Sequence, residues 1–420
     1  MKPKIITTLA SYSKGLFLAD LFAGITVSLV AMPLSIAIAI ASGATPAVGL
    51  VTAVIGGFLI SLLGGSRVQI GGPTGAFIVV VYGVITRHGY QGLVMATAMA
   101  GVILTVAAIC RAGKLIAYIP EAVIEGFTVG IAVIIGVSQL KDFLGQTVAK
   151  LPAEFIPKIE TLWSARSTLS PEAIGIGVVA VVLIVLFRRL APRLPGLIVA
   201  IAITSALVTL FHLQVDTIAS RYGDLPRGLP TPSFPAFNLS QARDLLPSAL
   251  LIALLTGIES LLSAIVADRM IGGDHRPNAE LMAQGVANFA SAMFGGLPAT
   301  GAIARTATNV RAGGKTPVSG IIHALVILLV LVFAAPLAGY LAMPALAGLL
   351  LVTAWNMSEP HRWGERLSAK LPDQAVFFIT LFLTVLADLT VAIAVGTGLG
   401  LALRVFRRTK TPELWSPPEP

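Results

Sequence analysis

The chain has 420 residues, of which 56% are hydrophobic and only 12% are charged, and its mean hydropathy is +0.89. Soluble domains usually run near ~45–50% apolar and about 25% charged residues. The composition therefore excludes a soluble enzyme, a secreted disulfide scaffold and a disordered protein, and it predicts an all-α polytopic membrane protein. A single cysteine, Cys110, excludes an internal disulfide and a cysteine-based metal site.

Apolar runs of membrane-spanning length recur along the chain and predict fourteen spans in two sets of seven. The first set lies near 17–42, 46–64, 73–86, 91–110, 118–138, 172–187 and 195–211. The second set lies near 244–267, 279–294, 302–312, 317–334, 336–356, 373–387 and 388–406. Two connections are long. Residues 141–171 are predicted to hold an amphipathic surface helix, and the proline-containing stretch 212–243 is predicted to be a loop.

The net charge of +9 comes from 29 Lys and Arg residues against 20 Asp and Glu residues. In a soluble chain this charge could indicate nucleic acid binding, but here the basic residues lie mostly at the ends of apolar runs. With fourteen spans, most of them fall on one side of the membrane, as the positive-inside rule requires. The pattern predicts no nucleic acid partner, a plasma (inner) membrane location and two cytoplasmic termini.

Two of the predicted spans are interrupted by glycine and proline. Residues 64–77 read GGSRVQIGGPTGAF, and residues 295–306 read GGLPATGAIART. Irregular backbone is not tolerated against lipid, so each segment must face protein or a water-filled cavity. Each falls at the third span of its set, and because seven is odd the two sets insert in opposite senses. Matching interruptions in two halves indicate an inverted-repeat transporter with a site near the membrane midplane.

Each interrupted segment is expected to form a short extended strand followed by a half-helix. Pro73 is predicted at the first helical position of the first half-helix, which continues through Thr74 and Gly75. The second half-helix is predicted to begin near Ala302. Two helix N-termini that face each other present free N–H groups and favour an anion. Two packed re-entrant loops without a ligand are the alternative.

Among the charged residues inside predicted spans, two are candidates for a role in transport. Arg305, one turn into the second half-helix, costs about 2.5–3.5 kcal/mol to place in the membrane. This cost indicates a role at the anion site, with a structural ion pair or a side chain that reaches the interface as alternatives. Glu259 lies mid-span, with Ser263 one helical turn further. It is a candidate for proton uptake or for Na⁺ binding with Ser263, and neutralisation of Arg305 is the alternative.

Other chemistry is sparse in the sequence. The five histidines show no metal-ligand spacing, and no Walker or Rossmann glycine motif is present. We therefore expect no cofactor and no metal beyond a coupling Na⁺ or H⁺. Only His323 lies inside a predicted span, where it is expected to be a hydrogen-bonded core residue.

Short motifs extend along almost the whole chain. Those in the first part are Asp20–Gly24, Met32-Pro33, Ser66-Arg67, Gly72–Gly75 and Ile119-Pro120. The most specific block comprises Glu259-Ser260, Asn278, Glu280-Leu281, Gln284-Gly285, Asn288, Gly295-Gly296, Pro298, Gly301, Arg305-Thr306, Asn309 and Gly313–Thr316. With these motifs the chain resembles the transmembrane part of the sulfate permease family (SulP), also called solute carrier family 26.

The resemblance implies a single transmembrane unit over 1–420 with the UraA-like SulP fold, a seven-plus-seven inverted repeat. A core subdomain of about 17–110 and 244–334 would move, elevator fashion, against a gate subdomain of about 118–211 and 336–406. Family anion sites lie between the half-helices of spans 3 and 10. Carried over, the lining residues are Thr74, Gly75, Ala76, Phe77, Gly301, Ala302 and Arg305. Glu259 and Ser263 match positions that resemble the Na⁺ site of cyanobacterial bicarbonate transporters. A homodimer is also implied.

Two features depart from the family pattern. Many members carry Gln after the span 1 proline, where this chain has Leu34. This difference weakens a prediction of sulfate and leaves more of the recognition to backbone N–H groups. Most members also continue into a cytoplasmic regulatory domain (STAS), which is expected to be absent here. A shortened chain and a natural short form both agree with an end at Pro420.

The sequence thus predicts a secondary active transporter of small anions in the lipid bilayer, and not an enzyme. Bicarbonate, sulfate and a dicarboxylate such as fumarate are the candidate substrates, with H⁺ or Na⁺ coupling through Glu259. One alternative is a nucleobase–cation symporter, which shares the architecture but usually places a carboxylate on span 10, where this chain has Arg305. The other is an anion channel or a voltage-responsive structural protein. A channel would conduct anions far faster than a carrier.

Overall fold

The computed structural model describes residues 2–113, 120–149, 151–191, 195–235, 239–387 and 389–407. This part of the chain is mostly helical. The helices of the first half are α1 (Lys4–Leu9), α2 (Lys14–Ala41), α3 (Pro46–Leu63), α4 (Ile78–Ile109), α5 (Glu121–Phe143), α6 (Phe155–Ser164), α7 (Pro171–Leu190), α8 (Gly196–Leu210) and α9 (Ile218–Tyr222). Five of the basic residues used to predict the orientation lie outside the described ranges: Lys114, Lys150, Arg193, Arg408 and Lys410.

The second half is also built from helices. They are α10 (Leu239–Ile271), α11 (Pro277–Met293), α12 (Ile303–Arg311), α13 (Val318–Phe333), α14 (Ala335–Ala338), α15 (Met343–Met357), α16 (Trp363–Ser368), α17 (Leu371–Leu386) and α18 (Leu389–Arg407). Short 3-10 turns cover Gly75–Phe77, Ala165–Thr168 and Pro360–Arg362. Two strands, β1 (Gly71–Gly72) and β2 (Thr300–Gly301), form a small antiparallel sheet.

Within the described ranges, six helices are long and apolar enough to cross a membrane. They are Lys14–Ala41, Pro46–Leu63, Gly75–Ile109, Glu121–Phe143, Pro171–Leu190 and Ser240–Ile271. These helices confirm the polytopic all-α class. Helix α4 joins two of the predicted spans, with a break at Gly89 (φ 71°, ψ 178°) between them. The number of fourteen crossings and the inverted repeat stay predictions.

The helices pack in two groups. The first helix group comprises α2, α3, α4, α10, α11 and α13. These helices contact one another and the β1–β2 sheet. The second helix group comprises α5, α7, α15 and α17. In it, α5 packs against α15 and α17, and α15 packs against α7. The division into a mobile core and a static gate stays a prediction, but the sheet lies in the first group, beside α3 and α10.

The two long connections differ from each other. The helix predicted within 141–171 is present as α6. The prediction that 212–243 is a loop throughout is wrong, because α9 occupies Ile218–Tyr222. Thr217 and Ser220 explain this helix. Their side chains accept hydrogen bonds from each other's backbone N–H groups, at 3.2 and 2.9 Å, and this capping box starts a short helix.

Candidate functional site

The two interrupted segments meet as a pair of antiparallel strands. Gly71 of β1 lies opposite Gly301 of β2. A helix follows each strand: the turn Gly75–Phe77 leads into α4, and α12 begins at Ile303. The prediction of an extended stretch followed by a helix is confirmed for both segments. Because the strands pair, the starts of the two helices come together in one small region.

The irregular backbone of these segments is held by buried side chains. Asn309 Nδ2 donates to the carbonyl oxygen of Val68 at 2.8 Å. Asn288 Nδ2 donates to the carbonyl oxygen of Ala299 at 2.8 Å, and its Oδ1 accepts from the N–H of the same residue at 2.9 Å. Such partners are what broken backbone needs when no water or lipid group can serve it.

The prediction that Pro73 opens the first half-helix is wrong. Thr74 has extended backbone (φ −126°, ψ 158°), and the first helical turn is Gly75–Phe77. The carbonyl oxygen of Pro73 accepts a hydrogen bond from Arg305 Nη2 at 2.9 Å. This contact fixes the peptide group after Pro73, so the chain stays extended through Thr74 before the helix begins.

The four site residues predicted in the first segment lie directly before α4, at the extended residue Thr74 and in the turn Gly75–Phe77. Thr74, Gly75 and Phe77 are buried, and Ala76 is partly exposed. Gly75 faces α15, since a methyl group added to it would lie 3.1 Å from Met357 Sδ. The N–H groups of Gly75 and Ala76 belong to the first helical turn, which offers them no acceptor within the helix. They are therefore available to a ligand.

Gly301 and Ala302 lie directly against the first segment. A methyl group added to Gly301 would overlap Gln69 Nε2, so the backbone approaches that side chain as only glycine allows. The N–H of Ala302 donates to the carbonyl oxygen of Ile70 at 2.9 Å and is used by the strand pairing. The free N–H groups of α12 are therefore those of its first turn, which begins at Ile303.

Arg305 is buried between α12, α2 and the first segment. Its Nη2 donates to Ser35 Oγ at 3.0 Å as well as to the oxygen of Pro73. A side chain at Gly72 would overlap Nη1, so the guanidinium lies directly against the strand. Among the described residues, Nε and Nη1 have no hydrogen-bond partner. Arg305 thus supplies positive charge and unpaired donors at the point where the two segments meet.

Glu259 and Ser263 lie on α10, one turn apart, but they have different partners. Glu259 Oε2 accepts a hydrogen bond from Thr74 Oγ1 at 2.9 Å, so it contacts the residue directly before the first half-helix. Ser263 Oγ lies 3.1 Å from Thr306 Oγ1 on α12. The described residues contain no group of three His, Cys, Asp or Glu side chains that could hold a metal ion.

Glu280 is completely buried and was not predicted to be a functional residue from the sequence. One oxygen accepts hydrogen bonds from the N–H groups of Gly65 and Ser66, at 2.8 and 3.3 Å. The other accepts from Ser260 Oγ at 2.9 Å and Gln284 Nε2 at 2.8 Å. Glu280 therefore ties the start of the first segment to α10 and α11. Its place in the specific motif block was the available signal.

The prediction that His323 is a hydrogen-bonded core residue is wrong. It is completely buried on α13, but neither ring nitrogen has a hydrogen-bond partner among the described residues. The nearby strand explains this environment. The ring lies close to Gly57 on α3, whose neighbour is the carbonyl oxygen of Gly71. The histidine fills space behind β1 and is not the hydrogen-bonded core residue that we expected.

The comparison with known protein families gives a clear match. The profile of the sulfate permease family matches residues 17–380. The chain belongs to the sulfate permease family.

Several members of the sulfate permease family resemble this chain over most of its length. The chain is 44% identical over 398 residues to the "Putative sulfate transporter YvdB" of Bacillus subtilis, which covers 94% of this chain and 75% of that protein. It is 31% identical over 404 residues to the bicarbonate transporter BicA of Picosynechococcus, with 92% of this chain and 70% of BicA covered. Sulfate and bicarbonate are thus both named among its relatives.

Solved structures of the sulfate permease family support the fold. The transmembrane domain of a cyanobacterial BicA superposes with a TM-score of 0.82 at 30% identity, over 91% of this chain and 98% of that domain. Murine solute carrier 26 family member A9, an anion transporter in the inward-facing state, gives a TM-score of 0.86 at 19% identity, over 96% of this chain and 71% of that protein. At that identity the second comparison supports the fold alone.

Proposed function

We propose that this chain is a secondary active transporter that carries a small anion across the membrane with H⁺ or Na⁺ as the coupling ion. Bicarbonate, sulfate and a dicarboxylate such as fumarate are the candidate substrates. Membership of the sulfate permease family supports transport of an anion. The choice of anion and coupling ion rests on the chemistry of the candidate site.

The observation that carries the proposal is the pairing of β1 with β2. It brings two helix starts together, and helix starts favour negative charge because their first N–H groups are free. Arg305 adds a buried positive charge at the same place. An anion bound there would lie among the N–H groups of Gly75, Ala76 and the first turn of α12. Backbone donors of this kind suit small oxyanions of different shapes.

The coupling proposal rests on Glu259. Its carboxylate receives one hydrogen bond, from Thr74, and no Lys or Arg side chain of the described residues lies within ion-pair distance of it. A carboxylate this close to an anion site would repel the anion unless a cation or proton neutralises it. Uptake of H⁺ or Na⁺ at Glu259 would therefore raise the affinity for the anion, and the two would move together.

The proposed motion rests on what covers the site. Gly75 faces Met357 of α15, and its next neighbour there is Ile135 of α5, at 3.8 Å from an added methyl group. Both contacts come from the second helix group. Elevator movement of the first group along α5 and α15 would carry the anion across. We further propose an inner-membrane location, cytoplasmic termini and a homodimer.

The test is exchange and accumulation in proteoliposomes that contain the purified chain. Liposomes loaded with unlabelled bicarbonate, sulfate or fumarate should take up the same labelled anion, and uracil should not compete. In Glu259→Gln, exchange should persist while accumulation against a gradient is lost, because exchange needs no net coupling ion. Accumulation by Glu259→Gln equal to that of the unmodified chain would contradict the coupling role.

Thr74→Val removes the one hydrogen bond to Glu259 and keeps the size of the side chain. A hydrogen bond to a charged group contributes about 1.5–3 kcal/mol. We therefore expect the cation concentration that half-activates uptake to shift by about tenfold or more. Thr74→Ser keeps the hydroxyl and serves as the control. If valine and serine behave alike, the contact plays no part in coupling.

A further inference from the structure

An open groove lies on the second helix group, and none of its lining residues is a predicted residue of the candidate anion site. Its volume is about 670 Å³, and it is formed by side chains of α5, α7 and α15. Its walls are apolar along most of their length, with Val181, Val185 and Leu351 among them. Nothing in the proposed transport cycle uses this groove.

One end of the groove is basic. Arg188 and Arg189, at the end of α7, line it next to Asn356 of α15, and the residues that line it include no acidic side chain. Arg188 Nη1 donates to Asn356 Oδ1 at 2.9 Å, which turns the guanidinium toward the groove. The two exposed arginines therefore give this end of the groove a positive charge that no lining residue balances.

The length of the groove matches one leaflet of a bilayer. From Val181 to Arg189 helix α7 rises by roughly 12 Å, at about 1.5 Å per residue. The hydrocarbon layer of one leaflet is about 15 Å thick, half of the whole core. Trp355 lies beside the basic end with 65% of its surface exposed, and tryptophan is enriched at the boundary between headgroups and hydrocarbon. A basic end at headgroup depth would account for both features.

The face around the groove is open to lipid. Only 28% of the apolar window of α7 is buried, less than in any other long apolar helix of the described ranges. Val182 and Leu186 are exposed beside the groove. The surface therefore offers apolar walls to acyl chains and paired arginines to a negative headgroup.

We propose that this groove binds one anionic phospholipid, with the phosphate at Arg188 and Arg189 and an acyl chain along α7 and α15. Arginine suits phosphate because its planar guanidinium donates two parallel hydrogen bonds. Charge complementarity selects an anionic lipid over a zwitterionic one. Because α15 also covers Gly75, a lipid in this groove would support the wall that faces the candidate anion site.

The test uses the fluorescence of Trp355 and quenching by lipids brominated on their acyl chains. The full chain is reconstituted in vesicles of phosphatidylcholine mixed with phosphatidylglycerol, with one of the two lipids brominated. The four tryptophans all contribute, so the Trp355 signal is the difference between a protein and its Trp355→Phe counterpart. Titration of the lipid ratio gives the relative affinity of the groove for the two headgroups.

We expect phosphatidylglycerol to bind at least about fivefold more tightly than phosphatidylcholine, given the attraction of single basic residues to anionic lipid. In Arg188→Gln/Arg189→Gln the preference should fall to about one, and in Arg188→Lys/Arg189→Lys it should largely remain. Lys14→Gln/Lys370→Gln, which removes two exposed charges outside the groove, should leave it unchanged. Size-exclusion chromatography checks that each variant is folded.

Three results would overturn the proposal. Equal quenching by the two lipids in the unmodified chain would show that the groove does not select a headgroup. A preference that survives Arg188→Gln/Arg189→Gln would place the selectivity elsewhere. Absence of quenching by either lipid would show that something other than lipid, such as a second copy of the chain, covers the groove.

Discussion

Arg305 on α12 holds the carbonyl oxygen of Pro73 at 2.9 Å, directly before the start of the first half-helix. The same nitrogen, Nη2, donates to Ser35 Oγ on α2 at 3.0 Å. One side chain therefore joins three parts of the fold that are distant in sequence. Its charge and its shape act together, because the guanidinium that favours an anion also fixes the backbone that would bind it.

Replacement of Arg305 by alanine should weaken anion binding by at least about tenfold. The variant loses the buried charge and leaves the Pro73 oxygen without its donor, and a hydrogen bond to a charged group contributes about 1.5–3 kcal/mol. Ser35→Ala removes one partner and keeps the charge, so it should change the Kd less. Equilibrium binding of labelled anion measures both. Equal Kd values for Arg305→Ala and the unmodified chain would show that Arg305 has no part in binding.

Gly301→Ala should destabilise the paired strands. The added methyl group would displace Gln69, whose Nε2 donates to the carbonyl oxygen and hydroxyl of Ser260 at 3.0 and 3.1 Å. Overpacking of this kind costs about 1–3 kcal/mol. Gly83→Ala is the matched control, since nothing lies within 4 Å of the added group there. The thermal midpoint in detergent should fall for Gly301→Ala only, and an equal midpoint for both variants would argue against the close approach.

Glu280→Gln should lower the thermal midpoint although the two side chains have the same size. The carboxylate accepts four hydrogen bonds, whereas a glutamine amide must point its own donors at some of the same groups. A buried donor left without an acceptor costs about 1–3 kcal/mol. Glu365→Gln is the control, because its side chain is 73% exposed. A drop of the same size in both variants would show that the four hydrogen bonds of Glu280 do not stabilise the fold.

Lys158 gives a pH dependence that can be measured. It is buried on α6, its Nζ donates to Ser138 Oγ at 2.9 Å, and burial lowers its pKa to about 8. Below pH 8 the lysine is charged in both the folded and the unfolded chain. Between pH 8 and about 10.5 the folded chain releases the proton first, so stability should rise with pH in this window.

The comparison is with Lys158→Met, which has no charge to lose. The thermal midpoint of the unmodified chain should rise from pH 7.5 to pH 9.5 by more than that of Lys158→Met. The exposed Lys14→Met should behave like the unmodified chain. An identical pH profile for Lys158→Met would show that the buried amine does not titrate in this range.

The interrupted segments could be found from sequence because glycine and proline inside an apolar run have few structural explanations. This pattern predicted an extended stretch followed by a helix in both segments, and Ile303 lies one residue from the predicted start of the second half-helix. Pro73 was assigned wrongly because its missing N–H permits a helix start but does not require one. The hydrogen bond from Arg305 to the carbonyl oxygen of Pro73 holds the chain extended before the helix, and sequence spacing cannot reveal such a contact.

The partners of buried polar groups could not be predicted in the same way. Glu280 and Gln69 lie far apart in sequence, and they meet through Ser260 only because α10 and the first segment pack together. His323 looks like any core histidine in the sequence, although the structure gives its ring no partner among the described residues. Local patterns show where backbone is irregular, but tertiary packing decides which side chains serve it.

Net uptake driven by an ion gradient is the direct measurement of coupled anion transport by this chain. Proteoliposomes should be given labelled bicarbonate, sulfate or fumarate, each with and without an inward gradient of H⁺ or Na⁺. We predict that one gradient stimulates accumulation of at least one of these anions, and that Arg305→Ala abolishes the effect. Folded, reconstituted protein that accumulates none of the three anions under either gradient would contradict it.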